Sequence, residues 1–248
     1  MEDKGAKVEI LDEAPKDVLL DITNAMLEMP TCYKVSGHIF YLYPPSLGVT
    51  MLMGNVMKEY DFAGVIEENQ SIIGLYKLFQ KNKSIVTRLL ALCSFENRKD
   101  ATKQDLVEKR MQELEDINAE DGLALVMRAI NTNSDYDEFV KYYGIDKEYN
   151  NRKRVYELKE KDRSGITFGG LSMWGALIGV ACERYGWTMD YVMWGISALN
   201  MNMLLADSIT SVYLSEDEQK QIRVPKKNTI NADDPRNAAL IKALLADD

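Results

Sequence analysis

Apolar positions along this chain recur mostly at helical spacing, and one segment breaks that habit. Residues 32–43 read Cys-Tyr-Lys-Val-Ser-Gly-His-Ile-Phe-Tyr-Leu-Tyr, with β-branched and aromatic side chains on both sides of Ser36-Gly37. That pattern predicts a β-hairpin turning at the Ser-Gly pair. Before it, residues 17–27 predict a short helix that stops ahead of Pro30. After it, Pro44-Pro45 ends the strand, and Ser46 offers a cap to a Met-rich helix over 47–59.

From there the pattern is helical. Residues 65–92 hold Ile72, Leu75, Tyr76, Phe79, Ile85, Leu89 and Leu92 at helical intervals, with a break expected at Lys81-Asn82-Lys83. Further helices are predicted over 103–117 and 119–130. Ser134-Asp135-Tyr136-Asp137 offers a cap for a helix over 138–143, which Gly144 would stop. Residues 146–163 are strongly charged and predict an exposed helix or linker.

The back section opens at Gly169-Gly170 and continues as a helix to Tyr185. Gly186-Trp187 is a turn, and Thr188 caps an expected helix to about Tyr213. Two apolar helices joined so closely should pack antiparallel. Ser215 can cap a short charged helix through Gln221. Residues 224–233 predict a polar linker, and Asp234-Pro235 starts an amphipathic helix over 236–245. The expected fold is mainly α, with a small N-terminal β-hairpin and a C-terminal αα-hairpin. Three stretches are expected: 1–145 as hairpin plus helical section, 146–163 as charged helix or linker, and 164–248 as C-terminal helical section.

Charge narrows the function classes. The formal net charge is -9 and the pI about 4.9, which argues against a nucleic-acid binder, since that needs a positive field. Two runs, 166–182 and 191–206, carry no charge. Both are shorter than the roughly 20 apolar residues a spanning helix needs, and both contain polar insertions. They predict buried core helices rather than a membrane hairpin. No apolar run resembling a secretory signal is expected in the first twenty residues. Cys32, Cys93 and Cys182 are odd in number and far apart, so buried free thiols in a reducing compartment, the cytoplasm, are the plain reading.

Candidate chemistry is sparse. His38 is the one histidine, and no Ser or Cys is aimed at it by any motif. No HExxH, Walker A or dinucleotide fingerprint occurs. Phe168-Gly169-Gly170 is a weak phosphate cradle, better read as a helix start. Acidic pairs such as Glu67-Glu68 and Glu120-Asp121 read as surface positions or caps, and Arg152-Lys153-Arg154 is interleaved with acids that can pair with it along a helix. These readings point to a chain without catalytic residues, cofactor or metal.

The methionines stand out. Of 13, three fall at Met51, Met53 and Met57 and four at Met189, Met193, Met201 and Met203. Flexible, polarizable Met suits irregular core gaps and equally suits an adaptable binding groove. With Trp187 and Trp194, the candidates for contact with a protein partner are Met189, Met193, Met201 and Met203. The two tryptophans are also expected to be largely buried between the back helices. Asp190, Ser197, Asn200 and Asp207 would form a polar seam on one continuous helix.

The segment Tyr185-Gly186-Trp187-Thr188-Met189-Asp190-Tyr191-Val192-Met193-Trp194, continuing through Asn200 to Leu204-Leu205-Ala206-Asp207, resembles a pattern in tail assembly chaperones of long-tailed bacteriophages. The resemblance covers about 25 residues. It implies a mostly helical, non-enzymatic protein of the host cytoplasm that binds an apolar tape-measure protein before the tail tube forms. It assigns no catalytic residues. A structural virion protein or helical adaptor without enzymatic activity is the alternative, and several copies coating one partner would make a homo-oligomer.

Overall fold

The computed structural model describes residues 9–10, 18–60, 72–130, 132–160, 171–209 and 211–222. The protein is mainly helical, with a β-hairpin near its N-terminus. The chain divides into two compact units, one of Met1–Asp146 with Ile166–Ile209, the other of Lys147–Gly165 with Thr210–Asp248.

In the first unit, β1 (Glu9–Ile10) and helix α1 (Val18–Met26) precede the hairpin of β2 (Thr31–Val35) and β3 (His38–Leu42). Sheet order is β1-β2-β3, both pairings are antiparallel, and Tyr33 lies opposite Phe40. The turn is the Ser-Gly pair, with φ of 49° at Ser36 and 85° at Gly37. Positive φ at both positions matches the right-handed strand twist, which is why a two-residue loop suffices. Strand alternation sends Tyr33, Val35, Phe40 and Leu42 into the core and leaves Ile39 and Tyr41 exposed.

Helices α2 (Leu47–Glu59), α3 (Ile72–Lys81) and α4 (Lys83–Leu92) follow. Ser46 Oγ accepts from the Val49 N–H at 3.4 Å, as its position in sequence suggests. The expected break falls at Asn82, while residues 65–71 of the anticipated helix lie outside the described residues. A short 3-10 turn, Arg98–Thr102, leads to α5 (Gln104–Glu113), which is shorter than anticipated. Helix α6 (Ala119–Ile130) is capped by Asn118, whose Oδ1 accepts from the Asp121 N–H at 2.8 Å. Helix α7 spans Thr132–Tyr142, so Ser134 lies inside it rather than capping it; Gly144, at φ 68°, marks the turn beyond.

One large apolar cluster joins the hairpin's inner face to α2, α4, α5 and α6, with Tyr33, Ile85, Leu89, Leu90, Leu114 and Ile117 fully buried. A second, small cluster takes Ile22 from α1, Phe139 from α7, Ile145 just beyond it, and Leu199 and Met203 from the back section.

That back section begins with α9 (Met173–Tyr185), capped by Ser172, whose Oγ accepts from the Gly175 N–H at 3.1 Å. Gly169-Gly170 lies outside the described residues. Gly186, at φ 66°, ends α9 in the left-handed conformation that glycine adopts without a Cβ clash. Thr188 Oγ1 accepts from the Tyr191 N–H at 3.2 Å, the capping role expected of it.

The anticipated single helix from 188 to 213 is broken. Tyr191–Gly195 forms a π-turn, Ile196 and Ser197 are extended, and α10 (Ala198–Ala206) starts afresh. The cause is a contact distant in sequence: Ser197 bridges to Ser46, and the Ala198 N–H donates to Pro45 O at 2.9 Å. Ser197 Oγ then caps α10 by accepting from the Asn200 N–H at 3.1 Å. The polar seam expected of a continuous helix is therefore not formed.

The second unit holds most of α8 (Ile145–Glu160) and α11 (Glu216–Ile222). Helix α8 carries the pairs Glu148–Arg152 at 2.9 Å and Lys153–Glu157 at 4.0 Å. Ser215 and Glu218 form a reciprocal capping box at the start of α11. The Lys159 ammonium, with those Ser215 bonds, holds the Glu218 carboxyl down at about 2. The anticipated linker over 224–233 and helix over 236–245 lie outside the described residues.

Candidate protein-binding surface

Helix α9 has no charge before Glu183. A helix uncharged over its first ten residues would ordinarily be sunk in a core, yet Ala181 is its one fully buried residue. Trp174, Leu177, Ile178 and Cys182 lie half-buried beside a cluster of Leu47, Ala181, Val192, Ile196 and Met201. The opposite face presents Met173, Ala176, Gly179 and Val180 to solvent, with Met173 71% and Val180 47% exposed. Leu171, just before the cap, is fully exposed. A Cβ added at Gly179 would meet nothing within 4 Å, so among the described residues no neighbour packs there. Small residues at this face let another helix backbone approach closely.

The six residues singled out from sequence do not share one surface. Trp187 is half-buried, stacked on Tyr185 at 4.6 Å between ring centroids and edge-on to Tyr191 at 5.2 Å. Met189 beside it is 62% exposed. Met193 is half-buried against the α9 cluster. Trp194 points the other way, packing on the main core against Gly48. Met201 and Met203 are buried in two different clusters, so in this conformation both fill core. The outward face of α9 was not singled out from sequence. Its signal was present, because Met173, Ala176 and Val180 sit at i, i+3 and i+7.

The other chemical candidates stay apart. His38 is exposed at the hairpin end. Burial pushes the Cys93 thiol up to about 12, which suits an inert core group 3.4 Å from Met53 Sδ. Among the described residues no cluster of His, Cys, Asp and Glu could hold a metal ion, and no helix is long and apolar enough to cross a membrane. A cavity of about 460 Å³ opens beside α1, the Pro44-Pro45 loop and α6, with Asp21, Asn24 and Arg128 among its polar walls. Thr31 and Tyr43 supply the hydroxyls of its lining and Asp21 the carboxylate; among the described residues no serine, cysteine or histidine lines it.

No protein-family model matches this chain, and no curated protein or solved structure matches it either.

Proposed function

We propose that this protein is a non-enzymatic assembly chaperone of the tail-assembly kind, which shields an apolar helical segment of a tape-measure-like partner until that partner is built in. The observation that carries the reading is the outward face of α9. It is apolar, flanked by the exposed Leu171, and free of charge until Glu183. Such a face suits an uncharged helix laid along it, in the helix-in-groove manner. Apolar area removed from water is worth about 25 cal/mol per Å² before the costs of association. The net charge of -9 keeps the rest of the surface hydrated and opposes aggregation of the loaded complex. The partial resemblance over residues 185–207 supports the same reading.

The test is co-expression with a tape-measure-like protein encoded beside this chain. The expected result is a soluble complex on size exclusion that is lost with Val180→Asp, while the variant itself stays folded by circular dichroism. A partner equally soluble with and without this chain overturns the proposal. Binding that survives both Val180→Asp and Met173→Asp removes α9 from it.

A further inference from the structure

Helix α1 ends in a motif that normally calls for glycine. The Met29 N–H donates to Asn24 O at 2.9 Å and the Glu28 N–H to Ala25 O at 3.0 Å. That nested pair is a Schellman ending, and its left-handed residue, at φ 55°, is Glu28. A side chain with a Cβ is strained there, so something outside the helix end must hold it. The carboxylate shows what does. One oxygen pairs with the Arg98 guanidinium. The other accepts from the Ser197 N–H at 2.6 Å and from Asn200 Nδ2 at 3.1 Å. Arg98, only 8% exposed, also donates to Pro44 O at 3.1 Å and to Gly195 O at 3.3 Å. Asn200 Nδ2 reaches Met26 O at 2.8 Å. A single carboxylate thus ties the end of α1, the 3-10 turn and the start of α10 together.

Beyond that carboxylate, α10 is held by the Ser197–Ser46 bridge, the Ala198 N–H bond to Pro45 O and the buried Met201, and the packing that joins it to α1 is small. Helices α1, α7 and α10 meet around Ile22, Phe139, Leu199 and Met203, a cluster far smaller than the main one. Small satellite clusters at the ends of long-range contacts are where proteins open locally. We propose that Glu28 is a clasp: with Arg98 it holds α1 and α10 closed on the core, and its release lets these two helices open together while the main core stays folded. Opening uncovers Leu199 and Met203. The clasp does not depend on which partner, if any, then binds.

Amide hydrogen exchange of the full chain tests this. In the unaltered protein, amides of α1 and α10 should exchange together and well ahead of those at Leu89 and Leu90 in α4. If all three helices exchange as one unit, there is no separate opening and the proposal falls. Glu28→Gly provides the sharper arm, because it removes the carboxylate while relieving the left-handed strain, so any loss of protection comes from the clasp. Exchange in α1 and α10 should rise about tenfold to a hundredfold, the range expected for losing hydrogen bonds to a charged group, with α4 unchanged. Unchanged or stronger protection of α10 in Glu28→Gly would make Glu28 merely a helix terminator. Arg98→Met should reproduce the selective rise. Glu28→Gln, which keeps an acceptor for Ser197 and Asn200, should give a smaller one. A uniform rise that includes α4 in all three variants means general stabilisation and no clasp.

Discussion

Helices α4 and α9 are similar on paper and opposite in place. Each carries two charged residues, Lys83 and Arg88 in the first, Glu183 and Arg184 in the second, and both are otherwise largely apolar. Helix α4 buries seven residues, Ile85, Val86, Thr87, Leu89, Leu90, Ala91 and Leu92, whereas α9 buries one. The difference lies in their neighbours. Helix α4 is surrounded by α2, α3, α5 and α6, while α9 leans mainly on the π-turn. Apolar composition gives a helix the capacity to be buried, and the number of elements that converge on it decides whether that capacity is used. Among the described residues, α9 is left half-covered, with apolar area that further contacts could bury.

The strongest test of this contrast is truncation inside α4. Leu89 is 0% exposed, and Leu89→Ala should cost about 2–5 kcal/mol in denaturant unfolding through lost transfer energy and a residual cavity. A cost below about 1 kcal/mol would mean the α4 environment is loosely packed and the contrast with α9 is overstated.

Next in size is the seam where the back section meets the main core. A Cβ at Gly48 would lie 2.5 Å from the Trp194 ring, so Gly48→Ala should cost about 1–3 kcal/mol through overpacking. In a double-mutant cycle, Trp194→Ala should relieve most of that penalty. If the two costs simply add, the ring does not occupy this notch.

Thiol chemistry sharpens the comparison without changing stability. Cys93, at the end of α4, is buried with its thiol pushed up to about 12, while Cys182 on α9 is half-buried. At pH 8 an alkylating reagent should modify Cys182 in the folded protein and Cys93 only as the chain unfolds. Equal rates would contradict the placement of α4 in the core.

The smallest expected effect is on the outward face of α9. Val180→Ser should shift the unfolding free energy by no more than about 0.5 kcal/mol, because the side chain is 47% exposed. A large loss would show that this face is covered within the chain, and the proposed partner surface would have to be sought elsewhere.

Legibility from sequence followed how far each cause reaches along the chain. The hairpin, the Asn82 break, the caps at Ser46, Thr188 and Ser215, and the extents of α2 and α6 were all readable, since each depends on groups a few residues apart. The cap expected at Ser134 is not formed, because α7 already includes Thr132; Asn, Thr, Ser and Asp follow one another over residues 131–135, so several cap candidates compete on local signal. The candidate partner residues were read by type alone. Type could not separate Met189, which faces solvent, from Met201 and Met203, which fill two different clusters.

Sequence by itself determined that this chain is mainly helical, that it carries a hairpin at Ser36-Gly37, and where most of the described helices start, because hydrogen bonds and periodicity within a turn or two settle those features. Tertiary structure alone decided that the helix after Thr188 would break at Ser197, that α9 would keep a face exposed among the described residues, and that Glu28 would stand in a left-handed position. The Glu28–Ser197 bond joins residues 169 apart in the chain, and the Arg98–Gly195 bond joins residues 97 apart. Contacts at such separations form only when the whole chain closes, so they can override a local preference.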